Sequence, residues 1–259
     1  MTTARTIRVA RDEQGVATVT LDRPAVRNAL NPALVAELTA AVDELKTDEA
    51  VHVVVLTGEG EVFCAGADLA WVTADEPPDE VAAGAQRLAA LLRGLHELPK
   101  PLIARVNGPA LGGGAGLLAV CDLAIAVDDA VFAFTEVRLG LAPAVISPYV
   151  VRKIGRSQAR ALFLTGERFD AERAERVGLV HRRVPRAELD AAVDAAVEAC
   201  LLGAPLAPAA AKRLVHEALR PLDERERATA RQFAALRGGE EARQGIAAFR
   251  ERRPAPWAE

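Results

Sequence analysis

Cysteine is scarce in this sequence, and its cysteines do not form a metal or redox motif. The three residues, Cys64, Cys121 and Cys200, lie far apart and are odd in number. The absence of a C-x-x-C pair argues against a zinc site, a thioredoxin-like site and a disulfide framework. The four histidines show no metal-ligand spacing either. We therefore expect reduced, buried thiols and no metal.

Long apolar runs and basic blocks are also missing. No segment is apolar over about 18 residues, the length needed to cross a bilayer, so no membrane partner is expected. No apolar run follows the first five residues, so a signal peptide is not expected. The formal net charge is −4, which disfavours nucleic acid as a partner. The expected location is the cytoplasm.

Strand and helix patterns alternate in the first part of the chain and then give way to helices alone. The 259 residues, 51% of them hydrophobic, suffice for a large core. The alternation predicts an α/β class, with a core that holds the active site over 1–190 and a helical region over 191–259. One helix is expected to begin with Asn31 as N-cap and Pro32 at its first position. The predicted strands are 6–10, 16–21, 51–56, 101–106, 123–127, 131–134 and 180–184. The other predicted helices are 81–98, 117–120, 157–164, 171–177, 188–201, 208–218, 224–235 and 240–250.

The most informative stretch is a run of glycines where a strand turns into a helix. Residues 107–116 read Asn-Gly-Pro-Ala-Leu-Gly-Gly-Gly-Ala-Gly. Glycine lets the backbone approach a ligand closely, and a helix start offers free N–H groups at a positive dipole end. The turn therefore suits an oxygen that carries negative charge. Phosphate-binding motifs do not fit, because Leu117 stands where a Walker loop needs lysine and a dinucleotide fingerprint needs glycine. A tight turn without chemistry is the alternative.

A second turn repeats the pattern. Residues 61–69 read Glu-Val-Phe-Cys-Ala-Gly-Ala-Asp-Leu and follow the apolar run 51–56. Two such turns can each direct one backbone N–H at a single carbonyl oxygen. That arrangement is an oxyanion hole, which stabilises an enolate or a tetrahedral oxyanion.

Five segments, in order along nearly the whole chain, resemble the crotonase (enoyl-CoA hydratase/isomerase) superfamily. They are Arg23-Pro24 with Asn28-Ala29-Leu30, residues 63–69, residues 107–114, residues 134–136 with 139–141, and residues 164–166 with 174–179. The resemblance implies a crotonase-like spiral of β-β-α turns with a C-terminal helical trimerisation region. No internal sequence repeat supports the spiral independently.

The same resemblance implies roles for single residues. Ala67 and Gly113 would supply the two amide donors, and Glu136 would be the catalytic acid/base. Val26 and Arg27 match a segment that touches the nucleotide end of coenzyme A. The implied substrate-binding set is Val26, Arg27, Ala65, Asp68, Leu69, Gly112, Phe249 and Arg252, of which the last two match tail residues that reach a neighbouring subunit's coenzyme A. No cofactor is implied beyond the coenzyme A of the substrate.

Simpler roles exist for the two acids of this set. Apart from the resemblance, Glu136 also fits a first-turn helix acid behind Thr135 as N-cap. For Asp68 we favour a first-turn helix role over catalysis.

One position departs from the family pattern. Hydratases of the superfamily generally carry a second glutamate three residues after the middle glycine, and this chain has Gly116 there. Glu136 alone can serve one-base chemistry.

The expected activity is that of an enoyl-CoA hydratase, with Δ3,Δ2-enoyl-CoA isomerase and a catalytically weak acyl-CoA-binding protein as alternatives. Residues 112–116, 139–143 and 146–149 look most like bacterial methylglutaconyl-CoA hydratase-like proteins. A partner is expected in the chain itself, as a trimer or hexamer.

Overall fold

A six-stranded sheet forms the centre of the computed structural model, which describes residues 5–217, 239–251 and 253–258. The first two strands pair antiparallel and all later pairs are parallel. The third strand is buried along its whole length, which explains its continuous apolar sequence. In spatial order the strands are Ile7–Arg11 (β1), Val16–Leu21 (β2), Val53–Gly58 (β3), Leu102–Val106 (β4), Leu123–Val127 (β6) and Arg182–Val184 (β9).

A small second sheet places the two segments that matter for function side by side. Its strands are Ala110–Leu111 (β5), Val131–Ala133 (β7) and Arg168–Asp170 (β8). β5 runs parallel to β7, and β8 pairs with β7 antiparallel. β5 leads directly into the glycine turn, and β7 leads directly into the segment that contains Glu136. Their pairing therefore brings Glu136 next to the glycine turn.

The first helix begins where its capping residues predict. The Asn31 side chain accepts a hydrogen bond from the Leu34 amide at 2.9 Å, and Pro32 is the first helical residue, so this predicted start is confirmed. The apolar stripe of that helix packs against the third helix. The helices are Pro32–Thr47 (α1), Leu69–Val72 (α2), Pro78–His96 (α3), Gly113–Val120 (α4), Ser147–Thr165 (α5), Ala171–Arg176 (α6), Leu189–Leu201 (α7), Ala207–Glu217 (α8) and Glu240–Glu251 (α9). Short 3₁₀ helices occupy Pro24–Val26, Thr135–Leu139, Arg186–Glu188 and Pro256–Ala258.

Several predicted bounds are wrong. α3 begins at Pro78 and not at residue 81, because Pro78 is a good first residue and Asp79 and Glu80 suit the first turn. α4 begins at Gly113, inside the glycine run. α5 begins at Ser147, but Gly155, with φ 77° and ψ 157°, kinks it into two halves; the predicted helix 157–164 lies in the second half, and the first half is missing from the prediction. β5, β8 and α2 are too short to show a pattern in the sequence.

The helices after residue 188 differ in their surroundings. α7 packs on β3, β4 and β6 and buries Val193 and Val197. α8 and α9 confirm two predicted helices, whereas the one predicted over 224–235 lies outside the described residues. The division after residue 190 stays a prediction. Among the described helices, none is long and apolar enough to cross a membrane.

Candidate active site

A cleft of about 490 Å³ lies where the two glycine turns meet the segment after β7. The structure brings together in its walls nine of the predicted site residues: Val26, Arg27, Ala65, Ala67, Asp68, Leu69, Gly112, Gly113 and Glu136. Arg252 lies outside the described residues, as does the side chain of Phe249, whose backbone belongs to α9. A role of Phe249 and Arg252 in substrate binding therefore stays a prediction.

The two turns are in direct backbone contact. The Leu111 amide donates to the Cys64 carbonyl at 2.9 Å, within a parallel bridge between Cys64 and Ala110. A Cβ atom on Gly66 would lie 2.8 Å from the Leu111 carbonyl oxygen and 3.5 Å from the Gly113 nitrogen. Gly66 also has φ 94°, a conformation that glycine adopts without strain. The close approach of the turns thus explains a glycine at position 66.

The amides of Ala67 and Gly113 have no hydrogen-bond acceptor among the described residues. Leu30 forms a parallel bridge with Ala67. In this bridge the Leu30 amide donates to the Gly66 carbonyl at 2.7 Å, and the Leu30 carbonyl accepts from the Asp68 amide at 2.8 Å. This pattern turns the Ala67 amide away from Leu30. Gly113 is the first residue of α4, where amides have no partner within the helix. Within the described chain neither amide donates a hydrogen bond.

Glu136 projects its carboxylate over the second turn. Its Oε1 would lie 3.3 Å from a Cβ atom placed on Gly112. Its Oε2 is buried and has no hydrogen-bond partner among the described residues. Burial raises the pKa of this carboxyl, opposed by a hydrogen bond with its own backbone. A buried, unpaired carboxylate oxygen is rare in a purely structural role and suits an acid/base.

The capping interpretation of Glu136 is wrong in one respect. Thr135 is not an N-cap but the first residue of the 3₁₀ helix Thr135–Leu139, and Phe134 precedes it without a side-chain cap. Glu136 does lie in the first turn of this short helix.

Asp68 has a structural role, which differs from the predicted one by a single position. It is the N-cap of α2, and its carboxylate accepts from the Ala70 amide at 3.1 Å. It also forms a half-buried ion pair with Arg23 at 3.0 Å. Arg23 in turn donates to the Ala29 carbonyl at 2.5 Å, which ties the first turn to residues 23–30. Sequence reasoning missed this function of Arg23, since only the pairing of distant segments reveals it.

Replacing Asp68 with asparagine tests this assignment. Asparagine caps a helix as well as aspartate does, so the expected loss is that of the ion pair, about 1 kcal/mol. The turnover number is expected to change by less than about tenfold, well short of the range for a general acid or base. Urea unfolding and steady-state rates measure the two effects. A loss of turnover as large as that of a Glu136 variant would make Asp68 a catalytic acid.

The raised pKa of Glu136 predicts a pH-dependent cost to stability. A carboxyl whose pKa is higher in the folded state binds its proton more tightly there. The free energy of unfolding therefore falls as the pH rises from the pKa of the unfolded chain, about 4.3, through the pKa of the folded state. Glu136→Gln removes the titration. The variant is expected to be more stable than the parent at pH 7, with the difference shrinking toward pH 4. Urea midpoints at both values test this; an equal difference at pH 7 and pH 4 would contradict it.

Cys64 lies beside the first turn but is not a nucleophile. Its thiol is fully buried, and burial raises its pKa to about 12 despite a hydrogen bond with the Gly66 backbone. At neutral pH it is therefore a thiol and not the reactive thiolate. Among the described residues no group of three or more His, Cys, Asp or Glu side chains is arranged to hold a metal ion.

Comparison with known proteins identifies the family. A family profile described as Enoyl-CoA hydratase/isomerase matches residues 11–259. The chain belongs to the enoyl-CoA hydratase/isomerase family. A Rhodobacter capsulatus relative named "Probable enoyl-CoA hydratase" is 36% identical over 243 residues, 93% of each chain. The resemblance to the crotonase superfamily is thereby confirmed, and the chain is an enzyme of this hydratase and isomerase family.

Solved structures confirm the crotonase-like fold. An enoyl-CoA hydratase from Mycobacterium smegmatis is 34% identical, with a TM-score of 0.94, and the match covers 98% of this chain and 99% of that one. AtuE of Pseudomonas aeruginosa is 38% identical, with a TM-score of 0.95 over 98% of this chain and 100% of its own. Both matches extend over nearly the whole chain.

Proposed function

We propose that this family member is an enoyl-CoA hydratase that uses one carboxylate for both proton transfers. The observation that carries the proposal concerns Ala67, Gly113 and Glu136, which line one cleft. Within the described residues, the two backbone amides have no hydrogen-bond acceptor and Oε2 of Glu136 has no hydrogen-bond partner. The amides suit a thioester carbonyl oxygen. The carboxylate suits a water molecule that attacks C3.

The proposed reaction is a balanced addition of water. As the water oxygen bonds to C3, one water proton passes to Glu136 and the C2–C3 π pair moves toward the thioester. The resulting enolate oxygen carries negative charge, which the two amides stabilise. Glu136 then donates its proton to C2, and the carbonyl re-forms. The raised pKa of Glu136 lies closer to neutrality than that of an exposed glutamate, as both proton transfers require.

For the acyl chain we propose a branched skeleton of the methylglutaconyl type. The resemblance of residues 112–116, 139–143 and 146–149 to methylglutaconyl-CoA hydratase-like proteins supports it. A panel of acyl-CoA thioesters tests this. A higher kcat/KM for methylglutaconyl-CoA than for crotonyl-CoA would support the proposal, and a preference for straight chains would refute it.

Gly116 favours a second candidate, Δ3,Δ2-enoyl-CoA isomerase. With no second carboxylate on α4, Glu136 could take a proton from C2 of a 3-enoyl thioester and return it at C4. A weak acyl-CoA-binding protein is the third candidate. The absorbance of the conjugated enoyl thioester separates them, because hydration removes the band, isomerisation creates it, and binding alone leaves it unchanged.

Self-association as a trimer or hexamer is part of the proposal. The prediction rests on apolar residues in the late helices. Of these, Ile246 is half-buried, whereas Phe233, Leu236 and the side chain of Phe249 lie outside the described residues. Sedimentation at micromolar concentration is expected to give the mass of three or six chains; a monomer would contradict it.

We also propose that no cofactor is needed beyond coenzyme A in the substrate, and that the enzyme acts in the cytoplasm.

A further inference from the structure

Thr135 lies in the wall of the active-site cleft, directly before Glu136 in the chain. It is half-buried and is the first residue of the 3₁₀ helix Thr135–Leu139, which has no side-chain cap. Within the described part of the chain, its hydroxyl has no hydrogen-bond partner. A hydroxyl carries one donor and two acceptor sites, so the hydrogen-bonding capacity of Thr135 remains for a molecule in the cleft.

The aromatic residue before Thr135 holds this segment from the side of the core. Phe134 is fully buried, and the centre of its ring lies 5.0 Å from that of Phe163 in α5 and 6.2 Å from that of Phe169 in β8. The next two residues, Thr135 and Glu136, both line the cleft. The catalytic carboxylate and the threonine are therefore supported by the same buried anchor.

The other polar side chains in the described wall of the cleft leave one role open. Four residues of this wall have polar side chains: Arg27, Asp68, Thr135 and Glu136. A guanidinium has no acceptor, and the Asp68 carboxylate already pairs with Arg23 and caps α2. A water molecule that attacks C3 gives one proton to Glu136, and its second O–H needs another acceptor. Thr135 carries the uncharged acceptor among these side chains.

We propose that Thr135 is a further catalytic residue, whose hydroxyl accepts a hydrogen bond from the attacking water and so orients the water oxygen toward C3. The hydroxyl neither gains nor loses a proton. The water oxygen bonds to C3, Glu136 takes one water proton, and the second proton stays on the oxygen as the hydroxyl of the product. This inference rests on the proposed function, because it concerns the water of the hydration reaction.

Thr135→Val tests the proposal, because valine keeps the branched shape and removes the hydroxyl. The kcat for hydration of crotonyl-CoA or methylglutaconyl-CoA, whichever the parent enzyme hydrates faster, is expected to fall about tenfold, the effect of one hydrogen bond between neutral groups. The KM is expected to change little. Thr135→Ser keeps the hydroxyl and is expected to retain most of the rate. Equal hydration rates in Thr135→Val and the parent enzyme would overturn the proposal.

A threonine outside the cleft provides the matched control. Thr39 is also half-buried, lies on α1, and donates its hydroxyl hydrogen to the Val35 carbonyl at 2.7 Å. Thr39→Val is expected to leave kcat and KM for hydration unchanged. A tenfold loss of kcat in this variant as well would make the loss in Thr135→Val a general effect of removing a hydroxyl, and the proposal would be overturned.

A reaction without water attack separates orientation of water from support of Glu136. In D₂O, Glu136 can remove a C2 proton of butyryl-CoA, a saturated thioester, and return a deuteron to the enolate, which mass spectrometry measures. Thr135→Val is expected to exchange at the parent rate, whereas Glu136→Gln is expected to lose exchange and hydration together. Equal losses of exchange and hydration in Thr135→Val would overturn the proposal. A parent enzyme that exchanges butyryl-CoA but hydrates no enoyl thioester would refute the proposed function, and this inference with it.

Discussion

Replacing Glu136 with glutamine is expected to lower kcat by at least about 10², the lower range for general acid–base catalysis. Glutamine keeps the shape of the side chain but cannot exchange the proton. The KM is expected to change little, because the backbone amides and the apolar wall hold the thioester. Steady-state hydration and isomerisation assays measure both quantities. A change in KM without a change in kcat would make Glu136 a binding residue.

The control for this variant removes an acid of similar type elsewhere. Glu172 is exposed on α6 and pairs with Arg176, one turn away, at 2.7 Å. Glu172→Gln is expected to leave kcat and KM unchanged, since an exposed pair of this kind contributes about 0.3–0.5 kcal/mol to stability. A well-folded Glu136→Gln enzyme with undiminished hydratase and isomerase activity would place the base on another residue.

Removing an amide donor is expected to cost about 10²–10³ in kcat, the effect measured for single oxyanion-hole donors. Gly113→Pro is expected to leave α4 intact, because Gly113 is the first residue of α4 and proline is well tolerated at that position. Ala67→Pro removes the other donor. The hydrogen bonds of its bridge to Leu30 use the Gly66 carbonyl and the Asp68 amide, so this substitution leaves them in place.

Matched variants separate the effect of the lost N–H on kcat from the effect of the added carbon atoms. Gly113→Ala adds a Cβ atom, which would lie 2.9 Å from the end of the Leu30 side chain, but keeps the amide. Ala67→Gly likewise keeps its N–H. Both are expected to retain most of the activity, with near-normal circular dichroism in all four variants. If Gly113→Ala lost as much kcat as Gly113→Pro, the effect would be one of packing, and Gly113 would not be assigned as a donor.

The residues of the site could be predicted because the two turns carry local information. The glycines at 66 and 112–114 reveal backbone that approaches other backbone closely, and a helix that follows such a turn leaves its first amides free. The walls of the cleft accordingly contain Ala67, Gly113 and Glu136. Their roles in catalysis came from the family resemblance and stay predictions until the variants are measured.

Features that depend on distant packing could not be predicted. Arg23 is paired with Asp68, 45 residues away in the chain, and no spacing rule connects them. The sequence shows that position 116 lacks a carboxylate, but only the packing of α4 against α5 places Ile146 beside Gly116. The short strand β5 arises in the same way, since its bridge to Cys64 and its pairing with β7 hold it, and its two residues are too few to show a period.

The most direct test of the account is the absorbance of the conjugated enoyl thioester during incubation of crotonyl-CoA with the parent enzyme and with Glu136→Gln. The account predicts that the parent enzyme removes the band and that the variant does so at least about 10² times more slowly. If the parent enzyme leaves the band of crotonyl-CoA and of methylglutaconyl-CoA unchanged, and also creates none from a 3-enoyl thioester, the assignment of Ala67, Gly113 and Glu136 as a catalytic site is contradicted.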